Sequence, residues 1–384
     1  KAEDRRQFRE NMANLEIDDG IVFTRLLYLK DEVEYMCLIS LLSHDINQAI
    51  FWFHEHFYSG YESFKLIYNI YLLFYSYRNP QFEKYIFKQD YIFDNLVKLV
   101  INLSSLKFSF EGFILYNLTI NSNNAVKTYK GRPPSFLQMI DNKYRLFLHS
   151  LYKRDWFNVC ALLKIMQLNE ELNEELYDVI KLYYECVHNI EFNDINGFYD
   201  FKINELNDNV LKYIISIILL CEMLEKDVNV KPKQIYKTIS CEHQDYINYL
   251  SDYTNIQTEF ILYHKRKYSV DPIIGLFNLK RYNISDLWKR LTHNWIYYSS
   301  KTPLWNRILC DWDENWSYDH VNKKINLKQN DEFDEAFCLY HDEQSRGIQE
   351  LCTVNINPVT INEFCKYFNH SLIFESGCTS WTLV

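Results

Sequence analysis

DEVEYMCLISLLSHDINQAIFWFHEHFYSGYESFKLIYNIYLLFYSYRNPQFEKYI, residues 31–86, decides the fold class of this 384-residue chain. Tyr35, Leu38, Ile39 and Leu42 recur at i, i+3, i+4 and i+7, the spacing that lines one face of a helix. Asp31 is placed to cap that helix, and Glu34 to complete a box-like pair with it. A second helix follows Asp45, with Ile46, Ala49, Ile50, Phe53 and Phe57 as its apolar stripe. Ser59-Gly60 ends it, because glycine takes the left-handed conformation beyond a helix end at little cost. A third helix carries Phe64, Ile67, Tyr71 and Phe74 as far as Asn79-Pro80, since the residue before a proline is pushed out of the helical region.

The same reading extends outward in both directions. Residues 81–87, 90–103 and 109–118 form three more helices, and a polar break follows at 121–134. Helices resume at 136–151, 155–167, 170–189 and 208–226, then at 234–256 and 286–299, with a linker at 226–233. Element starts near 31, 61 and 90 give a spacing of about 30 residues, which suits stacked helical hairpins as well as an irregular bundle. Alternation around Asn322-Lys323 predicts a small β-hairpin over 318–328, and Asp331–Tyr340 reads as a short acidic helix. The tail from Cys352 shows little periodicity. The expected fold is all-α, an irregular solenoid or bundle with a small β-hairpin in its C-terminal region. Its expected divisions are an arm (1–30), a helical hairpin region (31–225), a second helical region (234–310) and a C-terminal part (311–384).

Composition agrees with helices. The chain has 8 Gly and 7 Pro, against about 27 and 19 at average usage. Apolar residues make up 48% and aromatic residues 17%, ample for a buried core and unlike a disordered chain. The net charge of −10 disfavours binding of a polyanion by the surface as a whole. Ten scattered cysteines with no C-x-x-C pair read as reduced thiols rather than a disulfide framework. Residues 1–20 carry no apolar leader, and the longest apolar run, Tyr213–Cys221, is far short of the ~20 residues that span a bilayer. The expected setting is the cytosol, the nucleus or a virion.

Catalytic signatures are not assembled locally, and no cofactor or metal is expected. Cys338-Leu-Tyr-His341 and Cys241-Glu-His243 are each half of a zinc-like set, where a structural site needs four ligands. His54 and His56 lie about 200° apart on a helix, so they face different sides. Lys130 and Arg132 in the loop Lys130-Gly131-Arg132-Pro133-Pro134, with Lys127 just before it, are candidates for anion binding. The prolines there remove donors that a phosphate cradle would use.

The clearest local signal is charge. Residues 260–310 hold nine Lys/Arg against Asp271 and Asp286, a net +7 within an acidic chain. The candidates are Lys265, Arg266, Lys267, Lys280, Arg281, Lys289 and Arg290, interleaved with Trp288, Trp295 and Trp305. Such a mix can track phosphates and stack bases, or form a hot-spot interface for an acidic protein. It can also pair with the chain's own acids Asp331, Glu332, Asp334 and Glu335.

Residues 31–86, with Lys301–Arg307 (KTPLWNR), Tyr318–Leu327, Asp342–Glu350 (DEQSRGIQE) and the segments 130–134 and 136–141, resemble a family of uncharacterised proteins of giant nucleocytoplasmic large DNA viruses. The resemblance implies a viral protein made in host cytoplasm, in or near a viral factory, and packaged or used in assembly. It transfers no catalytic residues. The leading functional expectation is a non-enzymatic helical interaction protein, a virion component or scaffold with protein partners and no membrane span. A nucleic-acid-handling or translation/transcription factor using 260–310 is the second expectation, and an enzyme whose site is assembled from distant residues is the third.

Overall fold

A computed structural model describes residues 22–123, 125–188, 209–224, 236–251, 267–270, 293–337, 360–372, 374–378 and 381–383. Among these the architecture is all-α with a small C-terminal β-hairpin, as the sequence predicts. The linker at 226–233 and residues 257–266 and 286–292 lie outside the described residues. No described helix is long and apolar enough to cross a membrane.

Helix α1 (Lys30–Leu42) and α2 (Ile46–Tyr58) form the first hairpin. From Val33 to Leu42 every α1 residue except Glu34 is buried, so this is a central helix and not a one-faced one. Its cap differs from expectation. Leu29 is the N-cap and makes no side-chain bond, because the chain enters from a buried loop whose Phe23 and Leu29 pair as a short bridge. Asp31 accepts from the Glu32 N–H (2.8 Å), and Glu34 points to Lys30 and His56 instead of the helix start. Within the expected arm, Phe23 to Leu29 are core residues.

The α1–α2 corner recurs 110 residues later between α7 (Asn142–Tyr152) and α8 (Trp156–Leu168). In both, a left-handed residue (His44, Arg154) precedes an aspartate (Asp45, Asp155) that caps the next helix through the N–H of Gln48 or Asn158. In both, the aspartate N–H bonds the carbonyl five residues back, Ser40 or Ser150, at 3.0 Å. The S-L-x-x-x-D pattern is thus a local hairpin code. An N-cap bond of this kind contributes roughly 1 kcal/mol.

The predicted third helix is two pieces. α3 (Ser63–Ile70) runs into one turn of π-helix, Tyr71–Tyr75. The wider turn leaves the Leu72 carbonyl to accept from the Ser76 hydroxyl (2.7 Å) and from Ser216 (2.9 Å) on α10 (Val210–Leu224), so the polar group is not stranded in the core. α4 (Phe82–Phe87) and α5 (Phe93–Leu103) follow, and α6 (Glu111–Ile120) crosses the π-turn at Gly112. A β-carbon on Gly112 would lie 2.5 Å from the Leu73 carbonyl oxygen. Gly112→Ala is therefore expected to destabilise the chain by about 1–3 kcal/mol through backbone displacement, read as a lower urea midpoint. A midpoint within error of wild type would show that α6 can back away freely.

A 3₁₀ turn (Ser135–Met139), α9 (Glu174–His188) and α11 (Cys241–Ser251) complete the described helices before residue 293. Beyond it lie α12 (Trp295–Ser299), α13 (Pro303–Trp312), strands β1 (Ser317–Asp319) and β2 (Lys324–Asn326), and α14 (Asn330–Phe337). The strands pair antiparallel with Tyr318 opposite Ile325. The loop between them is four residues long, folded around Asp319, which accepts from the N–H groups of Val321 and Asn322. The tail also holds α15 (Ile361–Tyr367), opened by a capping box of Thr360 and Glu363 that the reading from periodicity missed.

Candidate functional site

Three asparagines on three helices do the same thing. Asn102 on α5, Asn117 on α6 and Asn158 on α8 are all buried. Each grips one residue of a non-helical segment by both its main-chain groups. Asn102 Oδ1 accepts from the Lys237 N–H (2.8 Å) while Nδ2 donates to the Lys237 carbonyl (2.9 Å). Asn117 holds Thr382 in the same way (2.8 and 3.3 Å), and Asn158 holds Lys127 (2.8 and 3.0 Å). In Asn102 and Asn117 the amide nitrogen also donates to the carbonyl four residues back, Lys98 (2.7 Å) and Phe113 (3.0 Å). In Asn158 it donates to the Ser150 hydroxyl (2.8 Å). The carboxamide is thereby oriented from behind and presents one acceptor and one donor outward. That pair is complementary to an extended residue, the pattern one strand offers another.

A second polar centre lies under the loop at 23–29. Arg25 Nε is 2.9 Å from Glu55 Oε2, and its Nη2 is 2.8 Å from His54 Nδ1. Glu55 Oε1 accepts from the Leu26 N–H (2.9 Å), and the Arg25 N–H donates to the Ser59 hydroxyl (3.0 Å). Trp305 Nε1 donates to the Arg25 carbonyl (2.8 Å). Arg25 and Glu55 are 1% and 0% exposed, so the pair is fully desolvated. Burial, followed by the charge of Arg25, drives His54 well below its ordinary pKa, so His54 is a neutral acceptor there.

Beside it opens a shallow cleft of 240 Å³ lined by Lys30, Glu34, His56, Gly60, Tyr61, Leu66 and Asn69. That is below the ~300–1,000 Å³ typical of small-molecule sites. His56 Nδ1 lies 2.7 Å from the Ser63 hydroxyl, and Nε2 lies 3.5 Å from Glu34 Oε1. Burial lowers the His56 pKa, opposed by Glu34. Burial pushes Glu34 up, but the approach of His56 and the charge of Lys30 outweigh it, leaving its carboxyl below the usual value. The order Ser63–His56–Glu34 resembles a nucleophile, base and orienting acid. Ser63, however, is buried and does not line the cleft, so the contact ties the first turn of α3 to α2. Gly60, at φ +86°, lets Pro303 approach to within 2.9 Å of where a β-carbon would stand, which seats α13 against the end of α2.

The sequence candidates fall elsewhere. Lys265, Arg266, Lys280, Arg281, Trp288, Lys289 and Arg290 lie outside the described residues, as do Cys338 and His341. Trp295 and Trp305 are not a stacking platform. They are 3% and 0% exposed and pack edge to face at 4.9 Å in the core, because α12 and α13 close over Arg25 and Phe23. The Lys267 amine sits 4.2 and 4.3 Å from the ring centres of Tyr246 and Tyr249. Lys301 is buried, and burial followed by the charge of Lys323 brings its amine down to about 8. Lys127, Lys130 and Arg132 are exposed, with Lys127 held only through its backbone. Asp331, Glu332 and Glu335 on α14 face solvent. The described cysteines are all free thiols, and no three His, Cys, Asp or Glu among the described residues converge as a metal site requires.

Sequence reading missed Asn102, Asn117 and Asn158. The available signal was an asparagine inside an apolar helix, a position that penalises it unless the side chain has partners. Compared with known proteins, the chain matches no family model, no curated protein and no solved structure.

Proposed function

We propose that this chain is a helical interaction scaffold that holds extended polypeptide segments against its helices. The observation that supports it is the threefold use of one asparagine device, each copy gripping both main-chain groups of a single non-helical residue. Main-chain recognition gives affinity without sequence, and apolar side chains on either side add selectivity. Helical arrays offer long surfaces for such contacts. The resemblance to proteins of large DNA viruses sets the reading in a viral assembly, as a virion component or scaffold made in host cytoplasm. The work of the molecule would then lie in shape and backbone complementarity, without bond-making chemistry.

The test is direct. Tagged chain is recovered from infected cells, its partners are identified, and each is purified and titrated against purified chain. The expected result is at least one polypeptide that binds directly with a Kd of micromolar order or tighter. If every recovered protein fails to bind in the purified pair, the scaffold reading falls.

A further inference from the structure

Lys301 stands at the corner between α12 and α13, where Ser299, Ser300 and Thr302 are all buried. The Ser300 hydroxyl lies 2.8 Å from the Tyr297 carbonyl and 3.2 Å from the Tyr318 hydroxyl. The Thr302 N–H donates to the Ser299 carbonyl (2.9 Å), and its hydroxyl accepts from the Trp305 N–H (3.4 Å). Lys301 itself is 9% exposed, and among the described residues no hydrogen bond or ion pair reaches its amine. An amine withdrawn from water is normally accompanied by a carboxylate. The acids of this region are engaged elsewhere. Asp313 accepts from the N–H groups of Asn315 (3.0 Å) and Lys328 (2.9 Å), and Asp319 folds the hairpin loop around Val321 and Asn322. The charge that does act on Lys301 is a second amine, that of Lys323. The Lys323 carbonyl accepts from Asn294 Nδ2 (2.8 Å), and its Nζ lies 5.7 Å from the centre of the Tyr297 ring. The other titratable groups here engage one another: the Tyr297 hydroxyl is 3.0 Å from His320 Nδ1, and Tyr318 stacks on His320 (5.2 Å between ring centres). Burial and a like charge both favour the neutral amine, the form with a lone pair to share.

We propose that Lys301 is a carbon dioxide site, at which the amine adds CO2 to form a carbamate. The nitrogen lone pair attacks the carbon, one C=O π pair moves onto oxygen, and the nitrogen gives up a proton to water. The product is an N-carboxylated lysine with one negative charge, formed without oxidant, reductant or leaving group. Carbon dioxide suits the position in two ways. It is small and uncharged, so it reaches an amine that little solvent reaches. Its adduct is an anion beside Lys323, so a repulsion between two amines becomes an attraction that ties the β-hairpin to the α12–α13 corner. The adduct is reversible and stoichiometric. It is a chemical mark on the chain and involves no turnover, so it stands independently of the scaffold reading.

The experiment holds the full chain near pH 8 in isotope-labelled bicarbonate, whose dissolved CO2 is the probe, and reads it by carbon NMR. About half of the Lys301 amine is neutral there, whereas an ordinary lysine is almost wholly protonated. A carbamate resonance is expected in wild type and is expected to vanish in Lys301→Arg, which keeps the charge and much of the stem. Lys323→Ala is expected to need severalfold more bicarbonate for the same occupancy, because it removes both the like charge and the partner of the product. Triethyloxonium, which converts a carbamate into a stable ethyl ester, locates the adduct on the native chain by peptide mapping, so the test does not depend on a variant folding. The expected map shows the ester on Lys301 and not on exposed Lys130. A native chain without the ester on Lys301 in concentrated bicarbonate overturns the proposal, as does an ester spread evenly over the surface lysines. Unchanged occupancy in a folded Lys323→Ala chain overturns it as well, since the approach of two amines is its basis.

Discussion

Glu55→Ala is expected to lower the folding free energy by about 3–5 kcal/mol, the usual cost of leaving one member of a buried ion pair behind. Arg25 is almost fully buried and would lose the carboxylate 2.9 Å from its Nε. The Leu26 N–H would lose its acceptor, and the Ser59 hydroxyl a neighbour at 3.4 Å. The damage would spread, because the same loop carries the carbonyl that Trp305 bonds and the Phe23 ring that Tyr298 contacts. Glu55→Gln keeps the shape and one acceptor, so it should cost less than alanine. The exposed pair Lys143–Glu175 (2.6 Å) is the control. Although shorter, it lies in solvent, where water screens the attraction, and Lys143→Ala is expected to cost far less than Glu55→Ala. Urea titration of the three variants separates the cases. A Glu55→Ala loss no larger than that of Lys143→Ala would mean the loop at 23–29 is held by its apolar side chains alone.

The second large effect is a pH dependence centred on Glu83 of α4. Its side chain is 1% exposed, one oxygen accepts from Tyr68 (2.8 Å), and the other has no hydrogen-bond partner among the described residues. Burial, partly offset by the Tyr68 bond, pushes its carboxyl up to about 8. Tyr71 and Tyr213 also face it. The unfolded chain releases the Glu83 proton near the ordinary value of 4.5, whereas the folded chain keeps it until about 8. Between those values the folded state binds the extra proton, so stability falls as pH rises. The slope approaches ~1.4 kcal/mol per pH unit, amounting to roughly 5 kcal/mol across the window. Below about pH 4.5 the penalty vanishes, and above 8 it is constant. Glu83→Gln should flatten this slope and be the more stable chain at pH 8, although it leaves one amide donor without a partner. Parallel urea curves for the two chains from pH 5 to 8 would contradict a protonated Glu83. Comparing the chains pairwise cancels the titration of every other group.

Legibility in the sequence followed the range of the interactions. The helix start after Asp45, the Gly60 stop and the second half of α1 could be read because cause and effect lie within one or two turns. The π-turn at 71–75 could not, since it depends on Ser216 and Gly112, which sit far along the chain. The same holds for the asparagine grips, whose partners are 31, 135 and 265 residues away. Trp295 and Trp305 were misread for a related reason. A tryptophan among lysines looks the same whether its ring faces solvent or a core contributed by residues 23–25. The Thr360–Glu363 box is the opposite case: its signal was local and complete, and the low periodicity around it hid it.

The bond from Trp305 to the Arg25 carbonyl has a consequence for synthesis. At ~5–20 residues per second, the indole that completes the loop emerges from the ribosome roughly 15–55 seconds after the loop itself. Until then the first hairpin waits with a greasy edge uncovered, vulnerable to sticking or cleavage. A cell making this chain in bulk would need chaperones to bridge that interval, and slow codons late in the message would lengthen the exposure.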